Sequence, residues 1–131
     1  MASIHEQLAV DISPDKAWAL LREVSNAHKL FAPVLVDGHM EGDIRTVRFA
    51  NGMTIREQIL DVDDERRRVA YTALGGNGLA YHHASMEVLG AEAGRSLFVW
   101  ITDFLPQEIG GNLAALMAEG AKALKNNMEA R

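Results

Sequence analysis

Cysteine is absent from the 131 residues of the chain. Disulfide bonds, thiolate zinc sites and cysteine nucleophiles are therefore excluded. Proline is scarce, and the three prolines stand at the edges of predicted elements, where a missing N–H is tolerated. With 48% hydrophobic and 24% charged residues, the composition is that of a globular protein, and the length fits one domain over 1–131.

Long hydrophobic runs are also missing. No apolar stretch approaches the roughly 20 residues that span a bilayer, so no membrane insertion is expected. Residues 1–6, MASIHE, have neither the basic segment nor the apolar run of a signal peptide, which predicts a cytoplasmic location. The net charge of −5 disfavours nucleic-acid binding, and the one basic run, 66–68, directly follows an acidic run.

The hydrophobic pattern changes at Pro106 from period two to period 3.6. The chain begins with a predicted strand over 3–12, a helix that Ser13 caps, and a short helix over 26–31. Six further strands are predicted at about 33–40, 43–50, 53–62, 67–74, 80–89 and 95–105. The last element is an amphipathic helix over 107–129, whose apolar face consists of Leu113, Leu116, Met117, Gly120 and Leu124.

This order predicts an α+β fold in which a curved antiparallel sheet of seven strands surrounds a long C-terminal helix, with two short helices after strand 1. Because the curvatures of a sheet and a helix rarely match, a cavity is expected between them. The glycine-rich segment Gly75-Gly76-Asn77-Gly78 joins two strands, so it cannot present a helix N-terminus to a phosphate. We interpret it as a mobile flap at the mouth of the cavity.

Four stretches, in this order and spacing, resemble the START/Bet v 1-like superfamily, also called SRPBCC. They are residues 13–21, 41–45, 55–71 and 100–104. The similarity is greatest to the bacterial polyketide cyclase/dehydrase-like branch, and residues 42–83 also resemble the plant abscisic-acid receptors. The resemblance implies the helix-grip fold with an internal ligand pocket. It does not imply one activity, because cyclases, hydratases, lipid carriers, hormone receptors and stress proteins share that fold.

Glu57 lies in the middle of the strand predicted over 53–62, on the same face as Ile55 and Ile59. A carboxylate on an apolar strand face is costly unless it has a partner. Alternation alone therefore favours a position in water for Glu57, whereas the resemblance implies an acidic residue that points into the cavity. We adopt the inward orientation as the working hypothesis.

Tyr81, His82 and His83 begin the next strand. The resemblance implies that Tyr81 and His83 point inward with Glu57, where the three groups could polarise a carbonyl, hold a water molecule or shuttle a proton. Periodicity instead buries alternate residues of 84–88, on the opposite face. One β-bulge would reconcile the two interpretations.

The resemblance also implies a set of residues that line the cavity from the sheet. For Val47 and Phe49 the alternative is an ordinary position in the core, and Met117 joins the set from the apolar face of the last helix. Arg45 and Arg56 are expected to point outward. The predicted lining consists of Val47, Phe49, Tyr71, Trp100, Thr102, Phe104 and Met117.

Two functions fit this pocket. The first is binding of a hydrophobic, aromatic or polyketide-like small molecule by a carrier or sensor. The second is a cyclase or dehydratase in which Glu57, Tyr81 and His83 promote enolisation, aldol closure or loss of water. No cofactor is expected, and no metal, since adjacent strand residues such as His82 and His83 point to opposite faces. The chain is expected to be a monomer or a homodimer.

Overall fold

The computed structural model describes residues 2–75 and 78–130. The helices in these ranges are α1 (Pro14–Leu21), α2 (Ala27–Leu30) and α3 (Gly110–Glu129), and a short 3-10 turn, Gln107–Ile109, precedes α3. The strands are β1 (Ala2–Val10), β2 (Leu35–Glu41), β3 (Ile44–Phe49), β4 (Thr54–Asp63), β5 (Arg68–Ala73), β6 (Tyr81–Gly90) and β7 (Ser96–Leu105). The order of elements is the predicted one.

The strands form one antiparallel sheet in the order β1-β7-β6-β5-β4-β3-β2. Its concave face is covered by α3, which buries Met117, Gly120 and Leu124 of the predicted apolar face, while Leu113 and Leu116 are half-buried. The predicted helix-grip fold is therefore confirmed. No helix in the described ranges is long and apolar enough to cross a bilayer.

Helix α1 begins as the sequence predicts, because Ser13 Oγ accepts a hydrogen bond from the backbone N–H of Lys16 at 3.3 Å. At its other end the indole N–H of Trp18 donates to Asp64 Oδ1 at 2.9 Å, and Arg22 Nε donates to the same oxygen at 2.8 Å. The carboxylate of Asp64 thereby fixes α1 to the turn between β4 and β5.

Strand β4 contains a β-bulge. Its register with β5 shifts between Ile59 and Asp61, so that Leu60 is an extra residue and lies exposed. Such a bulge bends its strand and increases the local twist. It helps the sheet to curve, and the residues that precede it, Ile55 and Glu57, line the concave face.

The ends of most predicted strands differ from the observed ones by a residue or two. The helix predicted over 107–129 begins at Gly110, because the first three of those residues form the 3-10 turn. Of the predicted flap, Gly76 and Asn77 lie outside the described residues. Gly78 has a φ of +81°, a left-handed conformation that favours glycine.

Candidate functional site

A pocket of about 110 Å³ lies between the concave face of the sheet and α3. For scale, a dry cavity of about 150 Å³ accommodates benzene. The pocket therefore matches several water molecules, or one small ring after slight expansion. Most of its wall is apolar, and the polar side chains that contribute to it come from the sheet: Arg45, Glu57, Tyr71, His82, Trp100 and Thr102.

Arg45 and Glu57 form a buried ion pair on adjacent strands, where they are cross-strand partners of β3 and β4. Arg45 Nε and one terminal nitrogen lie 2.9 and 2.8 Å from Glu57 Oε1, and the other terminal nitrogen donates to the backbone oxygen of Val24 at 3.0 Å. The side chains are 9% and 13% exposed. The guanidinium also lies over the ring of Tyr71, 5.3 Å from its centroid.

The electrostatics of Glu57 are dominated by burial. Burial raises the pKa of Glu57 above its ordinary value, although Arg45 opposes this through its charge and its hydrogen bonds. Both contacts with Arg45 use Oε1, and within residues 2–75 and 78–130 Oε2 receives no hydrogen bond. Glu57 therefore presents one carboxylate oxygen that a molecule in the pocket can contact.

Tyr71 and Trp100 form a second polar contact. The indole N–H of Trp100 donates to the hydroxyl oxygen of Tyr71 at 3.2 Å. Burial, followed by the negative charge of Glu57, raises the pKa of Tyr71 well above its ordinary value, so its hydroxyl stays protonated and can still donate. Gly120 of α3 makes room for the Trp100 ring, which a Cβ at this position would approach to 3.1 Å.

His82 contributes a neutral imidazole. The backbone pairing of β5 with β6 ends at Tyr71 and Ala84, and beyond it the N–H of Ala73 donates to His82 Nδ1 at 2.9 Å. Since Nδ1 accepts, the proton of the neutral ring lies on Nε2. Burial, with a smaller effect of His83, lowers the pKa of His82 to about 4.

The structure corrects the predicted placement of Tyr81 and His83. Tyr81 is 46% exposed, and neither residue lines the pocket. The pairing of β6 with β7 is regular from Tyr81 to Gly90, so the bulge that would have turned both residues inward is absent from this pair of strands. Periodicity was the correct guide, and it is His82 that shares the inward face with Ala84.

Of the seven residues predicted to line the pocket, six do so and Phe104 does not. Phe104 is buried against the first turn of α3, where a Cβ on Gly110 would lie 3.2 Å from the ring. Arg45, expected outward, points inward, whereas Arg56 is exposed as expected. The residues that do line the pocket are Val47, Phe49, Tyr71, Trp100, Thr102 and Met117.

Sequence reasoning missed Arg45 and His82, although the signal was present for both. Arg45 alternates with Val47 and Phe49, and His82 alternates with the small and apolar residues that follow it. In each case alternation placed a polar residue on the concave face. For His82 the family resemblance implied the opposite face, with Tyr81 and His83 inward, and for Arg45 an outward position was expected.

Some chemistries find no support in the lining. The four lysines, Lys16, Lys29, Lys122 and Lys125, all belong to the described part of the chain and lie outside the pocket wall, so the pocket offers no amine for a Schiff base. No group of three histidine, aspartate or glutamate side chains that could hold a metal ion occurs in the part of the chain that the structure describes.

The chain belongs to the family of polyketide cyclases/dehydrases and lipid transport proteins, whose profile matches residues 1–130. This finding confirms the predicted family and supports a hydrophobic ligand-binding domain. Among curated proteins, none matches the chain in sequence.

Solved structures with the same fold include the protein XoxI from Bacillus cereus, with 21% identity, a TM-score of 0.88, and coverage of 98% of this chain and 96% of that one. A Bacillus thuringiensis protein has 20% identity, a TM-score of 0.87, and coverage of 97% and 98%. Norcoclaurine synthase from Thalictrum flavum, solved with dopamine and hydroxybenzaldehyde, has 20% identity, a TM-score of 0.75, and coverage of 95% and 84%. These similarities show the fold.

The burial of neutral His82 predicts a loss of stability in acid. Since its pKa falls from 6.5 to about 4 on folding, the unfolded chain binds more protons between these values. The free energy of unfolding contributed by His82 is therefore complete above about pH 6.5 and is lost as the pH falls to about 4. Allowing for partial exposure, we expect a loss on the order of 1–2 kcal/mol.

Urea unfolding of His82→Gln and of the exposed control His39→Gln across this pH range tests the assignment. His82→Gln should flatten the pH dependence of stability, whereas His39→Gln should keep the wild-type slope. Identical slopes for all three proteins would contradict a buried neutral His82.

Proposed function

We propose that the pocket binds a small apolar or aromatic molecule. The observation that carries the proposal is a pocket with mainly apolar walls and one converging group of polar side chains, including the carboxylate of Glu57. Pockets of this composition are typical of small-molecule sites, in which apolar walls supply affinity and a few polar groups fix orientation. Membership of a family named for polyketide cyclisation, dehydration and lipid transport supports the same conclusion.

The size of the pocket narrows the ligand. A volume of about 110 Å³ is below the roughly 300–1,000 Å³ of pockets that hold drug-sized ligands. A single ring is therefore the best match to the observed shape, and an extended polyketide or lipid chain requires the pocket to widen. Widening is easiest where Thr72 and Ala73 of β5 meet His82 of β6, because side-chain hydrogen bonds replace the backbone ladder there.

Proton transfer at Glu57 is the second candidate function. A buried carboxyl group whose pKa is raised by burial is suited to act as a general base or acid. Norcoclaurine synthase, which has the same fold, was solved with two ring-bearing molecules, and this is consistent with chemistry on such compounds. We propose that Tyr71 and His82, which line the pocket, donate to a developing oxyanion in place of the Tyr81 and His83 that the sequence predicted.

The alternative within the binding proposal is a carrier or sensor without catalysis. A carrier or sensor would use the same pocket as the enzyme, but only the enzyme would convert the bound molecule to a product. We retain a cytoplasmic location and a monomer or homodimer as part of the proposal.

The binding proposal predicts that toluene binds to the purified protein. Leu116, half-buried, lines the pocket from α3, so Leu116→Trp fills space that the ligand needs. We expect this variant to weaken toluene binding at least about tenfold, equivalent to about 1.4 kcal/mol. Protein-observed NMR titration measures the Kd.

Ala115→Trp is the matched control, because Ala115 is exposed on the same helix. It should leave the Kd for toluene unchanged. Absence of toluene binding to the wild-type protein, or equal weakening by both variants, would contradict a binding site in this pocket.

Catalysis by Glu57 predicts that the protein accelerates exchange of the methyl protons of acetophenone with D₂O, since enolisation begins with removal of such a proton. Glu57→Gln should lower this rate roughly a hundredfold or more. NMR measures the exchange, and circular dichroism confirms that the variant is folded. A wild-type rate equal to that of buffer would leave the carrier or sensor function as the better account.

A further inference from the structure

The buried guanidinium of Arg45 is already occupied. Each of its three nitrogens has a partner, two of them on Glu57 and the third on the backbone oxygen of Val24. A ligand carboxylate would have to displace Glu57 to obtain the bidentate contact that arginine normally offers. The presence of an arginine in the wall is therefore not evidence for an acidic ligand.

The opposite applies to Glu57. Its Oε1 takes both contacts with Arg45, and Oε2 has no hydrogen-bond partner in the described ranges. A partly desolvated carboxylate oxygen gains most from a donor, because a hydrogen bond to a charged group is worth more than a neutral one. The pocket thus contains an acceptor to which an O–H or N–H of its occupant can donate.

Donors line the same pocket. The hydroxyl of Tyr71 keeps its own proton while it accepts from Trp100. The Nε2–H of His82, which also lines the pocket, is a second donor, since Nδ1 is the atom that accepts from Ala73. An occupant whose polar atom both donates and accepts can therefore satisfy Glu57 and one of these donors together.

The charges of the wall sum to zero. Arg45 and Glu57 cancel, and His82 is neutral at pH 7. A charged occupant would bring an uncompensated charge into a largely apolar space, which is costly. A neutral group that can both donate and accept, such as a hydroxyl, avoids that cost.

We propose that the pocket selects an uncharged, ring-sized molecule that carries a hydroxyl group, a phenol or an enol, whose O–H donates to Glu57 Oε2. The inference rests on the proposed binding function and names its ligand class. It assigns Glu57 as the residue that determines specificity, while the apolar walls supply affinity without discrimination.

Four single-ring probes test the inference at pH 7: p-cresol, toluene, benzoate and benzylamine, the last being a cation at this pH. We expect p-cresol to bind at least about tenfold more tightly than toluene, the effect of one hydrogen bond to a charged acceptor. Benzoate and benzylamine should bind at least about tenfold more weakly than toluene, because each buries a net charge. Protein-observed NMR titration gives the four Kd values.

The outcomes separate the inference from the function on which it rests. Toluene binding as tightly as p-cresol, or tighter binding of either charged probe than of p-cresol, overturns the ligand class but leaves a binding pocket. Failure of all four probes overturns the binding function and the inference together. The comparison uses wild-type protein, so it decides the inference whether or not any variant folds.

A variant then assigns the preference to Glu57. Glu57→Gln should reduce the advantage of p-cresol over toluene to within about threefold, because the charged acceptor is lost. Glu41→Gln is the matched control, since Glu41 is exposed at the end of β2, and it should keep the full advantage. An undiminished preference in folded Glu57→Gln protein would overturn the role of Glu57.

Discussion

The arrangement of the pocket depends on a buried ion pair. Removing two charges from water is expensive, and their attraction repays the cost only when the geometry is good and further hydrogen bonds are made. Arg45 and Glu57 meet these conditions, because β3 and β4 place them directly opposite each other and Val24 supplies an additional acceptor. A pair of this kind contributes little net stability compared with apolar residues of similar size. Its presence on a largely apolar concave face is better explained by the hydrogen-bond acceptor that it offers to the pocket.

The pocket has two chemically different sides, one formed by α3 and the other by the sheet. Helix α3 contributes apolar side chains and one glycine, whereas all the polar groups project from the sheet. Strands fix those groups at regular spacing, since alternate residues share a face. The sheet then departs from regularity between β5 and β6, where His82 uses a ring nitrogen to hold the backbone of Ala73. This contact, in which a ring nitrogen takes the place of a backbone acceptor, puts the neutral imidazole in the pocket wall. It also leaves fewer backbone hydrogen bonds between β5 and β6 beside the pocket.

The architecture could be predicted well from the sequence, because it follows from hydrophobic periodicities that extend over many residues. The change of period at Pro106 predicted α3 and its buried face, and Ser13 predicted the start of α1. The site was harder, because each error concerned a single polar residue whose partner lies elsewhere in the chain. Arg45 was expected in water, because its partner Glu57 is 12 residues away and no local sequence signal connects the two.

The placement of Tyr81 and His83 failed for a different reason. The family resemblance implied that Tyr81 and His83 face the pocket, whereas the local alternation of apolar residues placed His82 on that face, as observed. Phe104 lies on the same face of β7 as Trp100 and Thr102, but its ring packs against the start of α3 and does not reach the pocket. Parity can be predicted from sequence, but the extent of a cavity along a strand depends on how the helix packs.

The double variant Arg45→Met with Glu57→Leu isolates the contribution of the ion pair to ligand choice, because it replaces the pair by apolar residues without leaving a lone buried charge. Its free energy of unfolding and its Kd values for toluene and p-cresol are the measurements. We expect stability within about 1 kcal/mol of wild type, since such replacements are often neutral or stabilising. We also expect that toluene binding is retained and that the preference for p-cresol is lost. A variant that fails to fold, or that still prefers p-cresol as strongly as the wild type, would show that the ion pair does not determine the choice of ligand.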